Sequence, residues 1–269
     1  MKLFVRSYRL LGAFLVTIAL SLNGGDRTAF DLQVDRFKRQ FESATVSNIR
    51  AIAEEFSYSG IQDPALFDVM RVKLSELLPD SRQNDENIEM ASWLVKTLAM
   101  AGAQQDEALL RKIVASKTSH KKLKKHSETA ITRLKNYARW NPVISRNLRS
   151  ATNDKELARM KVSNMLTSKY PELIRVGAKT VYRHYKTEER LQDEVETVLR
   201  NSYPTNKRNY GDTVLAGGDI KVIGDAMAWL CKSLAESGDL KYRPTLNEVA
   251  QSTTDKKLQK YAAKYAKAL

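Results

Sequence analysis

The chain has 269 residues, 42% of them hydrophobic, which is enough apolar side chain for one large core or two ordinary ones. Glycine (11) and proline (6) are scarce, whereas Leu, Ala, Lys, Glu and Arg recur, so the composition indicates an all-helical protein with little sheet. The formal net charge of +14 favours an anionic partner or surface, and the single cysteine excludes an internal disulfide framework.

Residues 1–21 have the pattern of a bacterial secretory signal peptide. A short basic segment precedes an apolar run of about a dozen residues, and Ala19 and Ser21 are small residues at the positions that a signal peptidase reads. The run is short for a helix that must cross ~30 Å of hydrocarbon. The pattern therefore predicts cleavage and a periplasmic or secreted mature protein. An uncleaved anchor in the inner membrane is the alternative interpretation.

Apolar residues three or four positions apart predict six helices in the first half of the mature chain. Residues typical of helix ends mark several boundaries. Asp63 followed by Pro64 is a good helix start, and Gly102 fits a left-handed C-cap. Thr118 or Ser119 can cap the sixth helix. The six predicted helices are residues 30–43, 46–57, 64–78, 87–101, 106–115 and 119–139.

The second half repeats the apolar pattern of the first half, which predicts a tandem duplication of a unit of about six helices. Two helices with the spacing Trp-Leu-x-Lys-x-Leu, one around Trp93 and one around Trp229, are each closed by a glycine. A shift of about 125 residues aligns the apolar positions before them. The alignment predicts that both Trp residues are core residues in equivalent layers. It divides the chain into residues 22–140, a joint at 141–153 and residues 154–269.

Helices joined by short links, with one helix pair about every 40 residues, resemble the HEAT and armadillo class of α-solenoids. The resemblance rests on period and helix pattern and covers most of the mature chain. It implies an all-α superhelix in which neighbouring helices stack into a curved slab, with one face holding a protein or another polymer. A compact helical bundle is the structural alternative.

Positive charge is concentrated between residues 111 and 149, where twelve Lys and Arg accompany one acidic residue, Glu128. In helix 119–139 the apolar and small residues define an inward side and leave a basic strip opposite. Such a strip attracts polyanions, although a merely solvated face has the same pattern. The inward residues are Leu123, Ser127, Ala130, Leu134 and Ala138. The predicted polyanion- or partner-binding residues are Lys121, Lys122, Lys124, Lys125, Lys135 and Arg139.

The second unit is longer than the first between residues 204 and 226. Two apolar, partly β-branched runs there flank a Gly-Gly pair, which predicts a small β-hairpin. An insertion in one copy of a repeat often decorates one face, so this segment is a candidate contact loop, with a passive loop as the alternative. Its candidate contact residues are Lys207, Arg208, Tyr210, Gly217 and Gly218.

No pattern in the sequence indicates catalysis or a bound metal. The histidines lack the HExxH spacing of a zinc site, and Cys231 completes no ligand set. The Gly-Gly pair lacks the Lys-Ser/Thr of a phosphate-binding loop, and a serine nucleophile elbow is missing. The sequence therefore predicts no catalytic residue, no metal site and no cofactor.

Three functions are compatible with these features. The first is an exported, non-enzymatic binding or scaffold protein that holds a protein partner, with an anionic polymer or membrane surface as a further partner. The second is nucleic-acid binding through the basic helix 119–139, against which the export signal counts. The third is a cell-envelope enzyme acting on a polymer, for which no catalytic Glu has a recognisable context.

Overall fold

A computed structural model describes residues 27–79, 84–213, 215 and 218–269, and the predicted signal peptide lies outside them. This part of the chain forms twelve α-helices and no β-strand. None of the helices described has the length and apolar character needed to cross a membrane. The helices are α1 (Ala29–Glu42), α2 (Ile49–Phe56), α3 (Pro64–Leu77), α4 (Asp85–Ala101), α5 (Asp106–Ala115), α6 (Lys121–Ile144), α7 (Asp154–Leu166), α8 (Pro171–His184), α9 (Glu189–Ser202), α10 (Ile220–Glu236), α11 (Arg243–Ser252) and α12 (Lys256–Ala268).

The residues at the helix ends explain most of these boundaries. Asp63 caps α3 through its side chain, as predicted. Gly102 and Gly238 follow α4 and α10 with left-handed φ angles of 71° and 72°, which glycine adopts without steric cost. The start of α6 differs from the prediction, because His120 caps it rather than either of the two residues before it. The His120 Nδ1 accepts a 3.2 Å hydrogen bond from the backbone N–H two residues on.

The sixth helix is longer than predicted and enters the segment 141–153 that the sequence assigned to the joint. It continues through Pro142 and ends at Ile144. Proline costs a backbone hydrogen bond here. Burial of Trp140 and Ile144 and two 2.9 Å hydrogen bonds from the Asn141 amide to the end of α4 stabilise the extension. The two halves of the chain are thus joined partly by a rigid helix.

Adjacent helices pack in pairs, and the pairs form two layers. The pairs are α1 with α2, α3 with α4, and α5 with α6, while α2 packs on α4, α4 on α6, and α1 on α3. The same pairings recur six helices later, in α7 with α8, α9 with α10, α11 with α12, α8 with α10, α10 with α12, and α7 with α9. Odd-numbered helices therefore form one layer and even-numbered helices the other.

The last six helices join the first six at α1 and α6. Helix α7 packs against both, whereas α5 makes no comparable contact with α7 among the described residues. Strictly sequential stacking of helix pairs would place α7 beside α5. The order of helices in the layers therefore departs from their order along the chain at this point.

Buried apolar side chains form two clusters, one mostly from α1–α6 and one mostly from α7–α12. At the junction, some residues of each half belong to the cluster of the other half. Tyr137, Trp140 and Ile144 of α6 lie in the second cluster, and Leu148 and Leu157 lie in the first. The two halves consequently share apolar surface at the junction.

The predicted β-hairpin is wrong for the residues that the structure describes around Gly218. Ile220 and Ile223, assigned to its second strand, lie in the first turn of α10. Asp219 caps this helix by accepting a 2.7 Å hydrogen bond from a backbone N–H. Burial at positions 223, 226, 227 and 230 follows the helical period, and this packing outweighs the strand propensity of β-branched residues.

A lysine lies at the contact between α1 and α7. The Lys161 Nζ donates a 3.1 Å hydrogen bond to the Gln33 side chain, near Arg36. Burial, with a smaller contribution from the charge of Arg36, lowers the pKa of Lys161 to about 8. The ammonium is therefore held in the folded protein against its desolvation.

This lysine predicts a pH dependence of stability. Because the unfolded Lys161 keeps its proton to higher pH than the folded one, the free energy of unfolding should rise as pH increases from about 8 to about 10.4. Lys161→Met should stabilise the protein at pH 7 by ~1–2 kcal/mol and remove this part of the rise. Urea unfolding across that range measures both effects. Lys155→Met, on the exposed side of the same helix, is the control, and an equal change in both variants would contradict the prediction.

Candidate polyanion-binding face

The two layers differ in charge. The six even-numbered helices contain 19 Lys and Arg against 9 Asp and Glu, whereas the six odd-numbered helices contain 13 against 14. Helices α6 and α12, which end their two sets, contribute most of the excess. We call the solvent side of the even-numbered helices the basic face. The net positive charge of the helices thus lies in one layer.

The basic strip predicted on α6 lies on the basic face. Lys121, Lys122, Lys125, Lys135 and Arg139 are exposed and Lys124 is half-buried. The inward side is as predicted, except that Ala138 is half-buried and Tyr137 is buried instead. Lys122 pairs with Glu89. Among the described residues, the other four lysines of the strip have no acidic side chain within 4.0 Å, namely Lys121, Lys124, Lys125 and Lys135.

Trp93 lies at the centre of the first half of this face. The sequence predicted that Trp93 is a core residue, but it is half-buried and packs on the outside of the core cluster. Its indole N–H donates a 2.7 Å hydrogen bond to Glu89, and the Lys96 Nζ lies 3.7 Å from its ring centroid. Burial lowers the pKa of Lys96, while Glu89 opposes this shift. Glu89 therefore neutralises part of the charge around Trp93.

Trp229 occupies the equivalent place in the second half and is also half-buried. The Lys179 Nζ lies 4.8 Å and the Lys232 Nζ 4.7 Å from its ring centroid. The Tyr182 ring meets Trp229 edge to face with centroids 5.6 Å apart, and Lys232 also lies 4.2 Å from the Tyr182 centroid. Ammonium groups near aromatic rings gain cation–π stabilisation and are held in place by it.

Helix α12 adds two further aromatic rings. Tyr261 and Tyr265 stack with centroids 6.2 Å apart and an interplanar angle of 12°, and Lys264 lies 5.5 Å from the Tyr265 centroid. Burial raises the pKa of Tyr265, and the charges of Tyr261, Tyr182 and Glu236 contribute to the rise. We call the whole group the Trp229 cluster. Its members are Lys179, Tyr182, Trp229, Lys232, Tyr261, Lys264 and Tyr265.

Sequence reasoning missed this cluster, although the signals were present. Trp229 and Lys232 are one helical turn apart, as are Tyr261 and Tyr265. The predicted alignment of the two units pairs Tyr261 with His126, a difference between them at this position. Only packing shows that the α8, α10 and α12 side chains converge.

The candidate contact loop between α9 and α10 is largely held inward. Arg208 donates hydrogen bonds of 2.9 and 2.8 Å to carbonyls at the end of α9. The Tyr210 hydroxyl donates a 2.9 Å bond to Asp255, and burial raises the pKa of Tyr210. Gly218 lies so close to Pro171 that a β-carbon would be 2.8 Å from its ring. Lys207 is exposed, and Gly217 lies outside the described residues.

The chemistry of the remaining reactive groups is limited. Burial raises the pKa of the Cys231 thiol to about 12, so the thiolate is a negligible species at neutral pH. Within the described ranges, no group of three or more His, Cys, Asp or Glu side chains is arranged to hold a metal ion. Comparison with known proteins finds no family model, no curated protein and no solved structure that matches this chain.

Proposed function

We propose that the protein is a non-catalytic helical binding protein whose basic face holds an anionic polymer. The observation that carries this proposal is the charge difference between the layers, 19 basic against 9 acidic residues in one and 13 against 14 in the other. A layer of one sign attracts a polyanion over long range and releases its counterions on contact. The proposal concerns residues 27–269 and does not depend on the predicted export.

A tandem duplication of HEAT-like type accounts for the geometry of this face. The recurrence of the same helix pairings after six helices supports it. So do the equivalent positions of Trp93 with Lys96 and of Trp229 with Lys232. A protein made of stacked helix pairs presents one layer along its length, which suits a polymer better than a small ligand.

The proposal predicts that charge on α6 controls binding. Lys121→Glu, Lys124→Glu and Lys125→Glu together should weaken binding to a heparin fragment by at least ~10-fold. The dependence of log affinity on log salt concentration should become shallower by about 2 to 3, since each lost contact removes ~0.7–0.9 from that slope. Fluorescence anisotropy between about 50 and 200 mM salt measures both quantities.

A charge-matched variant on the other layer is the control. Lys112→Glu, Lys155→Glu and Arg243→Glu change three exposed odd-layer residues and alter the net charge by the same amount. This variant should bind nearly as well as the unmodified protein. Equal weakening in both triple variants would show that only bulk charge matters. Absence of salt-dependent binding by the unmodified protein would overturn the proposal.

A further inference from the structure

We propose that the Trp229 cluster binds single-stranded nucleic acid, with unpaired bases stacking on its aromatic rings and its lysines contacting phosphates. The inference rests on the proposed function, because it assigns a ligand class to one part of the basic face. Proteins that bind single strands combine a positively charged surface with aromatic side chains on which successive bases stack. The cluster supplies both elements on three neighbouring helices, α8, α10 and α12.

The aromatic part of the cluster is accessible and contains several rings. Tyr182, Trp229, Tyr261 and Tyr265 are all half-buried, so each retains contact with solvent, and Trp229 and Tyr265 also pack on the core. Centroid separations of 5.6 Å between Tyr182 and Trp229 and 6.2 Å between Tyr261 and Tyr265 join them in two pairs. Two pairs of rings offer more than one stacking position for consecutive bases.

Every polar group of the cluster can donate a hydrogen bond. Among the described residues, Lys179, Lys232 and Lys264 have no acidic partner within 4.0 Å. The indole N–H of Trp229 and the hydroxyls of Tyr182, Tyr261 and Tyr265 have no hydrogen-bond partner in that part of the chain. The nearby carboxylates are already engaged, since Asp225 pairs with Arg175 and Glu236 with Lys186. Unpaired donors around a basic centre suit phosphate oxygens.

Stacking requires that a base replace an ammonium at a ring face. Lys232 lies 4.7 Å from the Trp229 centroid and 4.2 Å from the Tyr182 centroid on a flexible four-carbon stem. When a base takes that position, the ammonium can move to the phosphate of the same nucleotide. The cation–π contact is then exchanged for an ion pair and a stacked base.

The equivalent site in the first half lacks these properties. The Trp93 N–H is committed to Glu89, and Glu89 also holds Lys122. His126 takes the position of Tyr261. Burial lowers the pKa of His126, and the charges of Lys96 and Lys122 contribute to this lowering. We therefore assign charge attraction to the α6 region and base stacking to the Trp229 cluster. Duplex DNA keeps its base faces stacked internally and cannot use the rings in this way.

The test compares two probes with the same phosphate backbone. Oligo(dT) carries bases, and an abasic oligodeoxyribose phosphate of equal length does not. The unmodified protein should bind oligo(dT) at least about fivefold more tightly than the abasic strand at one salt concentration. Trp229→Leu should abolish this preference, Trp93→Leu should keep it, and Trp229→Phe should retain part of it because a ring remains.

The outcomes separate the inference from the function on which it rests. Equal binding of both strands by the unmodified protein overturns the inference and leaves polyanion binding standing. Absence of salt-dependent binding to either strand overturns the proposed function. Heparin binding that depends on Trp229 more than oligo(dT) binding does would assign the cluster to an acidic polysaccharide instead. If Trp229→Leu loses helical circular dichroism, Tyr261→Leu tests the same preference, and an unchanged preference in that folded variant contradicts the inference.

Discussion

Replacing Gly102 by Ala should destabilise the protein by about 2–5 kcal/mol. Left-handed φ costs a non-glycine residue about 1–2 kcal/mol. A β-carbon at this position would also lie 2.6 Å from the backbone nitrogen of Ala138 and 2.8 Å from the carbonyl carbon of Tyr137. Because these are backbone atoms of α6, they cannot rotate away, and relief requires α4 and α6 to separate. Overpacking of this kind adds roughly 1–3 kcal/mol.

Gly238 provides a matched control. It has φ +72°, against +71° for Gly102, but nothing lies within 4 Å of a β-carbon built there. Gly238→Ala should therefore cost only the conformational term, about 1–2 kcal/mol. Denaturant unfolding monitored by circular dichroism measures the two differences. Equal losses in both variants would show that the close approach of α4 to α6 has no energetic weight.

The second large effect is expected at Asp106, a carboxylate with 2% side-chain exposure at the start of α5. The Arg71 Nε donates a 2.6 Å hydrogen bond to one oxygen and an Nη a 3.4 Å bond to the other, and this contact raises the pKa of Arg71. Asp106→Leu removes the buried partner of a half-buried guanidinium, which keeps only the exposed Asp68, and should cost about 2–4 kcal/mol. Equilibrium unfolding in urea measures the loss.

Two further variants identify the cause of that loss. Glu107→Gln breaks the neighbouring surface pair with Arg111 and should leave the urea midpoint almost unchanged. The double variant Arg71→Met with Asp106→Leu removes both charges and should recover part of the stability lost in the single variant. A double variant as unstable as the sum of its parts would assign the effect to packing rather than to a guanidinium that has lost its buried partner.

Much of the fold could be predicted because helix formation here follows local rules. The positions of α1, α3, α4 and α5 agree with the apolar spacing to within two residues. The end of α6 could not be predicted in this way, since Pro142 argues for a boundary and only tertiary burial of Trp140 and Ile144 overrides it. The hairpin prediction failed for a related reason, because burial of Ile223 follows a helical period that the Gly-Gly pair obscured.

The sequence predicted only one of the two parts of the candidate face. Lys121, Lys124 and Lys125 form a run that any charge count detects, and the structure places them on the even-numbered layer. The Trp229 cluster depends on side chains from three helices, and its first and last members, Lys179 and Tyr265, are 86 residues apart in sequence. A single sequence gives no pairing information over such distances. Its members look like ordinary surface lysines and partly apolar aromatics until the helices are packed.

The exchange of core residues at the junction has a consequence for how the protein folds. Tyr137, Trp140 and Ile144 complete the apolar cluster of the later half, and Leu148 and Leu157 complete that of the earlier half. Neither half can bury its full complement of side chains while the other is unfolded. Folding cooperativity therefore extends across the junction, and the two halves lose stability together rather than melting as autonomous modules. A binding surface built on such a unit keeps its two ends in fixed relation to each other.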